Sequence, residues 1–384
     1  TSLANTARMS SPYLNQPRLE NRVSSGQGYS YGFFNNNPDL VPEIQETYEI
    51  GTELRLLDSR LSFDLTYYNT LCDRQIVENF RSSYGTGFVL NTLNAASTRN
   101  EGVELVVGIT PIKNKNFNWT IQLNGNRMWN EVLSLPGNVP EFYISDTWLF
   151  GNTRGGLVKG GPTTSITATG YLKNNAGEIL INPATGIPVV DGNFTVQGDR
   201  NPNFTLGINN QMRYKNWSFN MLWDYRNGGD IYNGTDNFLT QRGRSLITDD
   251  RKTPIVVKGV LNDGLQNTAN PTRNTIAILP YYQQDYYTTM PPSAFIEKNV
   301  DWLRLRDMTL NYTFSAKFLN KVKAIKNLGA FVTVNDLVLI TNYTGADPAT
   351  NGNTASTRGV GAAGFDYGNI ANPVSWNFGI RAAF

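Results

Sequence analysis

Trp376-Asn377-Phe378-Gly379-Ile380-Arg381-Ala382-Ala383-Phe384 is the stretch on which the fold turns. Trp376, Phe378, Ile380, Ala382 and Phe384 share one face, and Asn377, Gly379, Arg381 and Ala383 share the other. A repeat of two with one apolar face marks a β-strand. A strand that runs out to an aromatic residue fits the closing strand of a membrane β-barrel, where aromatic side chains sit at the interface. The same nine residues also fit the edge strand of a soluble sandwich, so the choice rests on the rest of the chain.

Eight further segments repeat the alternation, at 48–56, 61–67, 103–109, 117–124, 204–214, 217–225, 307–314 and 330–335. Leu, Val, Ile, Phe and Trp occupy one face; Asn, Thr, Gln, Asp and Arg occupy the other. The connections alternate in length. Short turns fall at Asp58-Ser59, around Lys113–Asn116 and at Lys215-Asn216, with a somewhat longer one over Ser315–Asn327; Gly/Asn/Pro-rich stretches cover roughly 73–98, 130–203, 227–299 and 341–375. Turns on one side and long loops on the other are the habit of transmembrane barrels. A compact soluble β domain has little room for loops of this length. Aromatic residues at the strand ends, such as Phe117, Tyr214, Trp217 and Phe314 beside the turns, fit a membrane girdle. The expected fold is all-β, a transmembrane antiparallel β-barrel with long extracellular loops: residues 1–46 are an extracellular loop leading into it, and 47–384 are barrel. Nine strands is an odd number, whereas single-chain bacterial barrels have an even one. The expectation is therefore that further strands precede Thr1 and that the chain is mature, processed or a fragment.

Composition excludes several classes of function. The 384 residues hold 33 Lys+Arg against 31 Asp+Glu, a formal charge of +2, which gives no electrostatic case for nucleic acid. Histidine does not occur, which removes Ser-His-Asp and Cys-His catalysis and most zinc sites. Cys72 stands alone, so there is no internal disulfide framework. No stretch approaches 18 consecutive apolar residues, so a membrane crossing would be made by strands. Thr1-Ser2-Leu3-Ala4-Asn5 does not read as a signal peptide.

Asn37-Pro38-Asp39-Leu40-Val41-Pro42-Glu43 leads into Tyr48-Glu49-Ile50-Gly51, and Arg99-Asn100-Glu101-Gly102-Val103-Glu104-Leu105 follows. These ordered motifs resemble those of TonB-dependent outer-membrane receptors. Gly198-Asp199-Arg200-Asn201-Pro202-Asn203-Phe204-Thr205 and Asp301-Trp302-Leu303-Arg304-Leu305-Arg306-Asp307-Met308-Thr309-Leu310-Asn311-Tyr312-Thr313 are similar to segments of the SusC-type branch found in Bacteroidetes. So are Val334-Asn335-Asp336-Leu337, Thr341-Asn342-Tyr343 and Asp347-Pro348. The resemblance implies a 22-stranded barrel, of which this chain supplies the last nine strands, with an N-terminal plug. It also implies a SusD-like surface lipoprotein as lid, and import of a glycan oligosaccharide or peptide driven through TonB, the plug and TonB box not being in this chain. Family members often carry a carboxylate-rich run before the Gly198–Phe204 motif. Asn174-Asn175-Ala176-Gly177-Glu178 and Asp191-Gly192-Asn193 are too poor in carboxylates for a calcium loop, and neither metal nor cofactor is expected.

In such a transporter, aromatic faces and amides in the outer cavity suit a sugar or peptide ligand. Trp148, Tyr171, Tyr281, Tyr282, Tyr286 and Tyr287 are the candidates for contact with ligand or lid. Each is also of a kind that packs loops together. Arg304, Arg306 and Asp224 are candidates for the lumen or upper wall, the arginines being expected to pair with acids across it. Arg304 and Arg306 are out of phase with Met308–Phe314, which a β-bulge near Arg306-Asp307 would reconcile. A secreted carbohydrate-binding or adhesin domain is the alternative function; no motif suggests an enzyme.

Overall fold

The computed structural model describes residues 2–6, 19–22, 28–31, 34–35, 37, 39–81, 90–137, 139–147, 153–315, 319, 325–349 and 363–383. Its principal element is a mostly antiparallel sheet of eleven strands. Nine long strands make the wall: β1 Glu43–Leu56, β2 Leu61–Arg81, β3 Leu90–Lys113, β4 Phe117–Ser134, β5 Phe204–Tyr214, β6 Trp217–Asn227, β7 Trp302–Thr313, β8 Asn327–Thr341 and β9 Ser375–Ala383. They pair in chain order, each with the one before it. The alternating segments lie within these strands, apart from the end residues Phe314 and Phe384, and Phe384 falls outside the described residues.

Backbone register converts the alternation into rows. Phe117, Tyr214, Trp217 and Tyr312 stand side by side on β4, β5, β6 and β7, beside the short turns. The next row on that face is Trp119, Met212, Phe219, Leu310, Val332 and Phe378. The opposite face carries Thr120, Gln211, Asn220, Thr309, Thr333 and Asn377, an uncharged hydrogen-bonding row across six strands. Thr309 and Thr333 share a hydroxyl hydrogen bond of 2.8 Å there.

The apolar face decides between barrel and sandwich. Ile50, Phe378 and Ile380 are 73%, 75% and 77% exposed. A sandwich would press this face against a second sheet, and among the described residues none lies over it. Each such side chain in water forgoes roughly 1.5–3 kcal/mol of burial, so the medium that satisfies the face is hydrocarbon. The height agrees. Tyr214 in the lower aromatic row lies ten residues from Phe204, which meets Tyr225 edge-on at 5.7 Å. Ten steps of about 3.3 Å, tilted by about 40°, span roughly 25 Å, the height of a transmembrane barrel's apolar band.

The turns are built from local chemistry. Leu57, Asp58 and Ser59 take positive φ (54°, 54° and 61°), and the Arg60 amide donates to the Leu57 carbonyl at 3.1 Å. The Asn114 side chain accepts from the amides of Asn116 and Phe117 at 3.0 and 2.8 Å. Lys215, φ +52°, opens the two-residue turn between β5 and β6.

Three sequence expectations need correction. Residues 1–46 are not loop throughout: Ser2–Thr6 pairs antiparallel with Glu43–Thr47, and Phe34–Asn35 pairs parallel with Leu90–Asn91. The stretch 73–98 is largely strand, since β2 continues to Arg81 and β3 begins at Leu90, with register shifts between Cys72 and Phe80. Ile76 and Val77, adjacent in β2, are both buried there, so pairing persists where alternation stops. The long upper connections are also folded.

Between β4 and β5, Phe142–Thr147, Thr153–Leu157, Ser165–Tyr171 and Val190–Asp199 form a four-stranded sheet. Ile231–Asn233, from the β6–β7 connection, pairs antiparallel with Ile296–Glu297 and parallel with Phe365–Asp366 from the β8–β9 connection. Asn233 caps the helix Gly234–Gln241 by accepting from the Asp236 amide at 2.9 Å. Ile166, Tyr232, Phe295, Ile296, Phe365 and Tyr367 pack into a buried core that draws on all three connections. This cap sits on the upper ends of the wall. No described helix is long and apolar enough to cross a membrane.

Candidate functional site

The motifs at 198–205, 301–313 and 334–348 meet where cap joins wall. Asp199 accepts from the Thr164 hydroxyl at 2.6 Å and from the Asn201 amide at 2.9 Å. Arg200, 7% exposed, donates to the carbonyls of Thr164 (3.0 Å) and Ala363 (2.8 Å), and its guanidinium lies 5.1 Å from the Phe365 ring centroid. Burial pushes its pKa down to about 10, so it remains a cation at neutral pH. Asn201 donates to the Met128 carbonyl of β4 at 2.7 Å. This motif is therefore a clamp between two connections and the wall.

The second motif supplies charge. Asp224 on β6 holds Arg306 at 2.9 Å and accepts from the Trp302 indole at 3.3 Å. Arg306 approaches Asp336 at 3.7 Å, and Arg304 approaches the same carboxylate at 3.3 Å. Arg304, 2% exposed, also pairs with Asp347 from the β8–β9 connection. The register slips between Leu305 and Asp307, and opposite it between Leu222 and Trp223, where the phase of the sequence placed a bulge. Burial acts to raise the Asp347 carboxyl, but Arg304 and the amides of Ala349 and Asn372 outweigh it and hold the group below the usual carboxylate range. Around this network, Asn342 accepts from the Asp301 amide at 2.8 Å, and the Thr341 hydroxyl donates to the Asp301 carbonyl at 2.7 Å. The Tyr343 hydroxyl donates to Asp366 at 2.7 Å; burial, with Asp366 beside it, drives that phenol's pKa far up.

The tyrosine candidates separate. Tyr171 ends a cap strand, and burial pushes its pKa up to about 12, with Tyr286 close enough to add to the effect. Tyr286 and Tyr287 lie on the one-turn helix Asp285–Thr288, their ring centroids 5.0 Å apart. Tyr287 is buried and donates to the Ile247 carbonyl at 2.9 Å, which makes it an anchor of the cap. Tyr281 and Tyr282 are 55% and 78% exposed, edge-on at 5.0 Å. Trp148 lies outside the described residues. Sequence reasoning missed the exposed apolar side chains Phe238, Leu246 and Ile247, whose segment is tied to the tyrosine helix through that Tyr287 hydrogen bond. The only signal was an apolar pair, Leu246-Ile247, set among charged neighbours.

The loop at 174–178 closes through its own groups. The Asn174 carbonyl oxygen accepts from the amides of Ala176 (3.1 Å) and Glu178 (2.8 Å), and its NH2 donates to Glu178 at 3.1 Å. Glu178 also pairs with Arg273. The donor set is an amide and one engaged carboxylate, too little for calcium.

Comparison with known proteins agrees with this architecture. Residues 8–153 match the family described as TonB dependent receptor-like, beta-barrel. TonB-dependent receptor P3 of Formosa agariphila is 24% identical over 377 residues, covering 91% of this chain and 35% of that protein. The TonB-dependent receptor SusC of Bacteroides thetaiotaomicron is 24% identical over 331 residues, covering 81% of this chain and 30% of SusC. The chain thus spans about a third of the length of the curated relatives it matches. A structure of the RagAB peptide transporter superposes with a TM-score of 0.69 at 19% identity, over 100% of this chain and 40% of the other. Residues 8–153 thus resemble the β-barrel of TonB-dependent receptors, and the chain has the fold of an outer-membrane barrel segment. Its likeness extends to the SusC-type receptors, SusC by sequence and RagAB by fold.

Proposed function

We propose that the protein imports a nutrient, a glycan oligosaccharide or a peptide, across the outer membrane, with energy delivered through TonB. A SusD-like surface lipoprotein covers the cap, and the complete barrel has 22 strands around a plug. The activity is transport and involves no catalysis by this chain. The observation that carries the reading is the cap itself. Three connections give up conformational freedom to build one folded body on the mouth of a wall whose outer face is bare for lipid. Tyr281 and Tyr282, with Leu246, offer rings and an apolar side chain for ligand or lid; Arg304, Arg306 and Asp224 hold the mouth in shape.

The test is uptake in the native host. Deleting the gene should abolish growth on one class of polymer, glycan or protein digest, and leave growth on the corresponding monomers intact. Co-purification in detergent should bring down a surface lipoprotein. Unaltered growth on every oligosaccharide and peptide source tried would sink the import reading. Recovery of the protein without detergent, in soluble form, would sink the barrel beneath it.

A further inference from the structure

The outward face of the wall changes character at the upper ends of β3 and β4. Register places Val103 beside Arg127, Glu101 beside Trp129 and Arg99 beside Glu131, three successive rows that continue the lipid-facing set Leu105, Val107 and Leu123. Thr205 pairs with Asn126, so Phe204, at the top of the apolar band, stands beside Arg127. The charged rows therefore begin where hydrocarbon ends, on the side of the outer leaflet. A groove of about 260 Å³ opens among them, lined by Arg99, Glu101, Trp129 and Glu131. Asn130, which completes the lining, turns its side chain to the other face and bonds Thr163 and Thr164 of the cap. Glu101 is already engaged, accepting from Tyr67 and Asn69 at 3.0 Å each. Arg99, Arg127 and Glu131 are exposed, and neither arginine forms an ion pair among the described residues. The Arg127 guanidinium lies 4.5 Å from the Trp129 ring centroid, and a stacked guanidinium keeps its N–H edge for an anion. Directly below Arg127, the row Leu65, Leu105, Gly125, Leu206 has a notch at Gly125. A Cβ there would stand 3.8 Å from Leu105 Cβ and 3.9 Å from Leu206 Cδ1, ordinary contact, so the space between the two leucines is left open.

We propose that this face holds one molecule of the phosphorylated glycolipid that forms the outer leaflet of the outer membrane. Arg127 and Arg99 bond its phosphates, Glu131 accepts from hydroxyl or amide N–H groups of its sugars, and an acyl chain descends into the notch at Gly125. These residues share the outward face, so one lipid can meet them all. Charge-assisted bonds from arginine favour a phosphate. Arg99 and Arg127 stand four strand steps apart, about 13 Å, so a headgroup that is anionic at more than one point engages both. The single phosphate of a phospholipid meets one of them, and phosphatidylglycerol meets the Glu131 carboxylate with a charge of the same sign. The notch argues for a lipid over a soluble anion, which gains nothing from open space between Leu105 and Leu206. The inference rests on the barrel and not on import, so the two can fail separately.

The test is native mass spectrometry of the intact protein in detergent, with the host's lipopolysaccharide stripped of its outer polysaccharide, phosphatidylglycerol and phosphatidylethanolamine. The glycolipid should be retained in preference to both phospholipids. Arg99→Gln and Arg127→Gln should each weaken its retention about five-fold. Gly125→Leu fills the notch, leaves both cations in place, and should weaken retention too. Heat-dependent gel mobility reports whether each barrel is intact; should Arg127→Gln fail to fold, Arg99→Gln and Gly125→Leu carry the test. Equal retention of either phospholipid, or no loss in the glutamine variants, overturns the proposal. So does unchanged retention in Gly125→Leu, which would remove the acyl chain from the site. Displacement of the lipid by millimolar glycerol phosphate overturns it as well, since that would mark a soluble-anion site.

Discussion

Asp347→Ala tests how the β8–β9 connection is held to the wall. Arg304 is 2% exposed and bonds Asp347 on one side and Asp336, at 3.3 Å, on the other. The Asp347 carboxylate also accepts from the amides of Ala349 (2.9 Å) and Asn372 (3.3 Å). Removing one partner of a buried ion pair costs about 3–5 kcal/mol, because the remaining charge is stranded. Asp336 still faces Arg304 in the variant, so the lower end, about 3 kcal/mol, is expected. That corresponds to roughly a 150-fold rise in the population of the undocked connection. Hydrogen exchange in detergent reads it directly: amides at 342–349 and 363–374 should lose about two decades of protection, while β4–β6 should be unchanged. Arg304→Met combined with Asp347→Ala removes the stranded cation and should recover much of the protection. pH should act through the same bond. A carboxylate held below its usual range contributes docking energy above about pH 4, and loses it as pH falls through its own lower value. Exchange of these amides, corrected for its intrinsic rate, should be flat from neutral pH to about 4 and rise below it. A change of only a few-fold in Asp347→Ala, or a double variant more labile than the single, would refute the reasoning.

Ile208 faces hydrocarbon near mid-height of the wall and Asn209 faces the lumen; Ile208→Lys should cost about 2–4 kcal/mol in urea-dependent refolding into bilayers, with Asn209→Lys far milder. Equal costs would mean that the faces are assigned wrongly. Gly229 has φ +89°, and a Cβ there would meet the carbonyl oxygens of Arg200 and Asn201 at 2.8 and 3.2 Å. Gly229→Ala should therefore lower the melting temperature of the cap through roughly 1–3 kcal/mol of strain, visible as earlier proteolysis of the cap. In an alkaline absorbance titration, a phenol ionising near pH 12 should vanish in Tyr171→Phe. The neutral phenol is the form the cap favours, so its contribution holds below about pH 10 and fades as pH rises through 12.

The wall was legible because two solvents enforce its pattern: lipid on Trp376, Phe378 and Ile380, polar surroundings on Asn377 and Arg381. Where both faces are covered, as at Ile76-Val77, the pairing continues without an alternating signature. Arg304 and Arg306 announced a bulge by breaking phase, but Asp347 lies 43 positions from Arg304, too far for local reasoning to join them. The tyrosine run misled in another way. Its members are neighbours in sequence, yet Tyr287 is an interior anchor while Tyr282 is 78% exposed. Short cap strands such as Ile231–Asn233 gain their identity only from partners elsewhere in the chain.

The shared core of the cap has a consequence for how this chain can diversify. Tyr232 pairs with Phe365 across 133 positions and packs with Ile166 from an earlier connection. None of the three connections can be exchanged with a homologue's singly without leaving holes or clashes in the other two. New specificity at the mouth must then arise in one of two ways. Either the whole cap is transplanted as a cassette, or point changes fall on outward residues such as Tyr281, Tyr282 and Leu246, which the core does not constrain.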